Sequence, residues 1–290
     1  MIRIAFSIPV LIALAALASP MPARAAESYD NCTGFIDALP AIISSQGTWC
    51  LRDDQATAVT MGYAILVKAN NVTIDCNHFK IGGLGGGAAT SATGILATGW
   101  SNVTVRHCNI RGFFSGVHLN AANGGHLVED NSFDGNTMFG LQVSGPGATV
   151  RRNQVTDTGG SSVLTSHAIG IHANGGVDVI DNTISGVAPI GENASPYGVL
   201  VSNNGDASIV GNRVRDLASS GTGVPHGIQY GGPGRLVIHD NHVLGPGPTV
   251  AGGIGIECQD NLATARGNVV AGFETGVAAC LSSSNSINLN

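Results

Sequence analysis

Lysine is almost missing from this chain: Lys68 and Lys80 are its two examples. Lysine and arginine together number 13 in 290 residues, and they do not cluster. No run of cations is available to neutralise a row of phosphates, so nucleic acid is excluded as a partner. Charged residues make up 11% of the chain and aromatic residues 5%. Past the N-terminal segment no apolar run reaches the ~18 residues of a spanning helix, so the mature chain has no expected membrane span. The six cysteines contain no C-x-x-C pair, so no metal site is expected. The glycine run 82–87 lacks the Lys-Ser/Thr that completes a phosphate loop, and no cofactor is expected.

What is abundant is glycine, with 42 residues and no G-x-y period. Glycine used this way punctuates turns. The N-terminus has Arg3, an apolar stretch over 4–18, and small Ala23 and Ala25 at cleavage spacing. Residues 1–25 are therefore expected to be a signal peptide, and the protein to be exported to the periplasm or beyond the cell. Export makes disulfides the natural state of the cysteines. The expected pairs are Cys32–Cys50, Cys76–Cys108 and Cys258–Cys280, the last two joining adjacent repeats.

The main signal is an internal repeat. One motif is Gly-apolar-x-apolar, as in Gly94-Ile95-Leu96-Ala97, Gly116-Val117-His118-Leu119, Gly140-Leu141-Gln142-Val143 and Gly170-Ile171-His172-Ala173. It continues at Gly198, Gly227, Gly255 and Gly276. Successive glycine numbers differ by 22, 24, 30, 28, 29, 28 and 21. The second motif, apolar-x-x-Asn-x-apolar, centres on Asn131, Asn153, Asn182, Asn212, Asn241 and Asn268, with Cys108 in the equivalent place earlier.

The two motifs alternate, and turn formers fill the gaps, so each repeat is one coil of a solenoid with no helical half. Stacked strands advance about 4.8 Å per coil. The recurring asparagine fits a ladder of side-chain amides at a corner, where strand pairing cannot serve the bent backbone.

These residues, with the opening run Asn70-Asn71-Val72-Thr73-Ile74-Asp75-Cys76-Asn77, resemble the right-handed parallel β-helix superfamily that includes pectate lyases and polygalacturonases. The resemblance implies an all-β, single-stranded right-handed parallel β-helix of about eight to nine coils. Residues 64–290 would form it and 26–63 an N-terminal cap. Within the cap, residues 34–45 read as a short amphipathic capping helix, weakened by Pro40.

Enzymes of this superfamily place their sites on the outer face of one sheet. The outward x residues run Leu96, His118, Gln142, His172, Leu200, Gln229, Glu257 and Ala278. Histidine and glutamine bond sugar hydroxyls and, for histidine, move protons near neutral pH. His118 and His172 are the expected catalytic residues. Gln142 and Gln229 are expected to bind substrate, with His226 and Tyr197 on the rim. The longer segments 156–168, 186–196 and 217–225 recur at one place in the repeat and are expected to form a wall.

A second candidate is the pair Asp130 and Asp181 beside the asparagine column, but Arg152 between them would keep both ionised. The superfamily's own catalytic motifs do not carry over: only Asp53-Asp54 and Pro225-His226-Gly227 echo polygalacturonases, and the pectate-lyase Arg-x-Pro-x-x-Arg segment is absent. The expected function is action on a polysaccharide, as lyase or glycoside hydrolase. A non-catalytic carbohydrate-binding, adhesion or scaffold β-helix is the alternative. The sequence does not specify an oligomeric state.

Overall fold

The computed structural model describes residues 29–289, apart from 203–204, 248–249 and 260–262. The expected signal segment 1–25 lies outside the described residues. Three parallel sheets of 11, 10 and 10 strands form a solenoid. We call the first sheet A, the second sheet C and the third sheet B. The chain visits B, then A, then C, and returns to B one rung higher. Eight of the strands in sheet B carry the Gly-apolar-x-apolar motif, from Thr93–Thr98 to Thr275–Ala278.

The core is a set of apolar columns. Ile65, Ile95, Val117, Leu141, Ile171, Val199, Ile228 and Ile256 pair in register up sheet B, and all are 0% exposed. Each buried aliphatic side chain contributes roughly 2 kcal/mol of transfer free energy.

The motif glycine is required by space. A Cβ on Gly116 would stand 2.5 Å from the Gly140 carbonyl oxygen, and one on Gly170 2.7 Å from that of Gly198. Neither glycine has a positive φ. The chain bends here, so the glycine and the apolar residue after it both face inward.

The corner from A to C is two residues long in every upper rung. Its first residue is left-handed: Asp130, Arg152, Asp181, Gly211, Asp240, Gly267 and Ser284 all have φ between 52° and 69°. Its second is the ladder asparagine. From Asn131 to Asn268, each backbone N–H donates to the side-chain oxygen of the next asparagine at 2.9–3.1 Å, and each Nδ2 donates to the same oxygen. Asn285 closes the column above, and below it Cys108 N–H donates to Asn131 Oδ1 at 2.9 Å. The amides are buried and satisfied, which is what a polar group in a core requires. All three expected disulfides form, with Cα–Cα distances of 5.8, 4.7 and 5.0 Å. Cys76–Cys108 takes the place of the ladder's lowest step.

The capping helix expected over 34–45 does not form. Gly34–Phe35 opens sheet A against Trp49 and Cys50, and Ala41–Ile43 opens sheet B against Ile65–Val67. Phe35, Leu39 and Ile43 have the spacing of a helix face, but edge pairing with the next rung and the Cys32–Cys50 bond fix the segment as strand. Among the described residues the one helical piece is the 3-10 turn Leu84–Gly86.

Candidate functional site

The outward x residues form one column in register, from Ile42 and Leu66 through Leu96, His118, Gln142, His172, Leu200, Gln229 and Glu257 to Ala278. Two residues further along each strand lies a second outward column: Thr98, Asn120, Ser144, Asn174 and Ser202. The residue between points into the core. A third column, three residues before x, holds Ser115, Phe139, Ile169, Tyr197 and His226. The glycine bend is what allows x and the residue three before it to share the outer side.

The candidate residues fall into two groups, divided by Leu200. In the lower group His118, Gln142 and His172 are neighbours on successive strands, all half-buried. His172 Nε2 lies 2.8 Å from Ser202 Oγ, and its ring stacks on Phe139 with centroids 5.9 Å apart. Burial, with His118 and His167 nearby, pushes the His172 imidazole down to about 4. Burial also lowers His118 and His167. These rings are neutral at pH 7: each offers one donor and one acceptor.

In the upper group Tyr197 stacks on His226 at 4.8 Å with ring planes 5° apart. That spacing is the rung spacing, so the rings stack along the solenoid axis and cover each other's faces. His167 and Tyr197 also meet in a T-shaped contact with centroids 6.3 Å apart. A sugar ring therefore finds ring edges here, and recognition falls to hydrogen bonds. His226 Nδ1 lies 2.9 Å from Glu257 Oε2 but makes no aligned hydrogen bond. Gln229 Nε2 donates to the same oxygen at 2.6 Å. Burial lowers His226, partly offset by Glu257, while burial and Glu257 raise the Tyr197 phenol. Glu257 belongs to this group, although its place in the x column alone gave it no role. The signal for it is diagonal: His226 sits three residues before x, one rung below.

The segments expected to form a wall do stack on the His226 side. Ala188 N–H donates to Thr158 O at 2.8 Å, Gly191 to Thr165 O at 3.0 Å and Ser220 to Ala194 O at 3.1 Å. Segment 157–166 also folds back across the two short turns beneath it, so that Ser162 N–H reaches Ala88 O at 3.0 Å.

The Asp130–Asp181 alternative is not supported. Arg152 pairs with Asp130 at 2.7 Å, and its hydrogen bond holds that carboxyl below the usual range. The neighbouring charges pair too: Arg106 with Asp75 and Arg151 with Glu129, both at 2.7 Å. On sheet C a polar groove of about 440 Å³ is lined by two more ion pairs, Lys80–Asp54 and Arg111–Asp134, both at 3.1 Å. It holds none of the expected site residues. Among the described residues no group of three His, Cys, Asp or Glu could hold a metal ion.

A family model described as a right-handed beta helix region matches residues 53–214 and 94–290. The chain belongs to the right-handed β-helix family. The expected family and fold are thus both found, less the capping helix. Among solved structures the Agl-KA catalytic domain is similar, at 11% identity and a TM-score of 0.36. The match covers 86% of this β-helix chain and 58% of that domain. The chain thus spans a little over half the length of that domain. No curated protein matches the chain.

Proposed function

We propose that this protein is an exported β-helix protein that acts on a polysaccharide lying along the outer face of sheet B. The observation that carries the reading is the stripe of His118, Gln142, His172, Gln229 and Glu257, flanked by hydroxyl and amide side chains and walled on one side. Such a strip offers paired donors and acceptors to successive sugar hydroxyls. Three disulfides suit an oxidising compartment, and residues 1–25 read as the signal that leads there.

Within this reading His118, Gln142 and His172 hold hydroxyls. Glu257 joins His118 and His172 as a candidate proton acceptor on this face, since neutral imidazoles keep the accepting half of the role expected of them. A ring held near 4, as His172 is, carries no proton to donate at neutral pH. Glu257 is more exposed than His226, and His226 and Gln229 flank it.

A second reading, binding without bond cleavage, is favoured by one observation. Glu257 is the one carboxylate on the described strands of sheet B from Thr93 upward, whereas glycoside hydrolysis uses a pair. Incubation with a panel of plant, algal and neutral glycans tests both. Reducing ends or unsaturated ends that vanish in Glu257→Gln, with binding retained, support the enzymatic reading. Binding with no product supports the second. Binding that survives Gln142→Ala and Gln229→Ala unchanged removes the site from sheet B.

A further inference from the structure

Lys68, exposed and one residue past the Tyr63–Val67 strand, stands at the foot of sheet B below Thr98; above it the cations of this molecule are partitioned. Every strand of sheet B from Thr93–Thr98 to Thr275–Ala278 lacks lysine and arginine. So do the wall segments 157–166, 188–194 and 218–225. Arg106, Arg151 and Arg266 lie on sheet A, and Arg111, Arg213 and Arg215 on sheet C. Arg235, at the start of sheet A, is held by Asp206 at 2.7 Å. From Thr93 upward, what charge the B face does carry is negative: Glu257 on the sheet, and Asp157, Glu192 and Glu274 along the wall side.

This matters for a polymer that must lie along several rungs. A uronate chain brings one carboxylate per sugar. Along the stripe from His118 to Glu257 each would lose water and meet no cation, and Glu257 would repel it. An uncharged glycan brings only hydroxyls and ring oxygens. Those match the neutral imidazoles, the amides of Gln142, Asn120 and Asn174, and the hydroxyls of Ser144 and Ser202, each of which can donate and accept.

We infer that the ligand of sheet B is an uncharged polysaccharide, read through its hydroxyls, and that uronate polymers are rejected. The inference rests on the placement of the glycan proposed above. It separates this chain from the pectate-like substrates that its fold brings to mind.

The test is a binding measurement on the disulfide-bonded protein, with a soluble neutral glucan and a galactomannan against polygalacturonate and alginate, at low and high salt. The expected result is neutral-glycan binding that salt leaves unchanged, with uronates weaker by about tenfold or more. Leu200→Lys places a cation on a half-buried outward position in the middle of the stripe. It should gain polygalacturonate binding by about tenfold at low salt and lose that gain at high salt. Wild-type binding to a uronate polymer that Gln142→Ala weakens would overturn this inference and leave the site standing. Binding of no polymer, or binding indifferent to Gln142→Ala and Gln229→Ala, would remove the site and the inference together.

Discussion

Two corners of the same coil are built on opposite rules. The corner from sheet A to sheet C is two residues in each rung from Asp130 upward, a left-handed residue and then a buried asparagine. The corner from sheet C to sheet B varies from three residues at 112–114 to ten at 157–166. The first turns its polar groups inward and satisfies them rung to rung. The second turns outward, and its segments bond mainly to each other. A solenoid needs one corner that fixes register, because a slip there would turn every side chain to the wrong face. With register secured, the other corner can vary in length and build a wall.

The sharpest way to break this comparison is to attack the constant corner. Removing the disulfide at its foot, by Cys76→Ser with Cys108→Ser, opens a loop with a sequence separation of 32. The expected loss is nearly 4 kcal/mol, read from denaturant midpoints. Asn182→Ala strips the acceptor from both the backbone N–H and the Nδ2 of Asn153. About 3 kcal/mol should be lost, because the buried Asn153 N–H loses its acceptor while Val150 O and Asn212 Oδ1 lose a donor. Gly170→Ala presses a methyl against the Gly198 carbonyl and should lose about 2 kcal/mol, seen as a lower Tm. On the outer face of sheet B, onto which the variable corner leads, Gln142→Ala should change stability by less than about 0.5 kcal/mol while weakening glycan binding. Equal stability losses at Asn182 and Gln142 would erase the distinction.

A pH titration sharpens it further. Burial pushes both His126 and His172 down to about 4, against 6.5 in the unfolded chain. The unfolded state therefore takes up protons first. The stabilisation is full above about pH 6.5 and is lost as pH falls toward 4. The Tm should fall through that window, and His126→Gln should flatten the slope. A Tm independent of pH between 7 and 4 would contradict the buried neutral imidazoles.

The fold was legible because each coil repeats its constraints. Glycine recurs where two backbones approach, asparagine where the corner needs an amide, and cysteines where adjacent rungs meet. Residues 34–45 misled because a single segment has no repeat to average over: Phe35, Leu39 and Ile43 alone mimic a helix. The stripe of x residues was legible by the same periodicity. The stacking of Tyr197 on His226 along the axis was not, since it depends on a bend at the motif glycine that places the third column outward. Nor was Glu257, whose partner His226 lies on a diagonal between rungs.

The asparagine column also has a direction. Every side-chain oxygen serves the rung before it, and none serves the rung after. The asparagine Nδ2 also reaches carbonyls of its own and the preceding rung, so what a rung lacks until the next one is added is an acceptor for its asparagine N–H. The next rung supplies that oxygen. The column is thus polar, like a zip with its foot at Cys76–Cys108: each added rung toward the C-terminus satisfies the one before it.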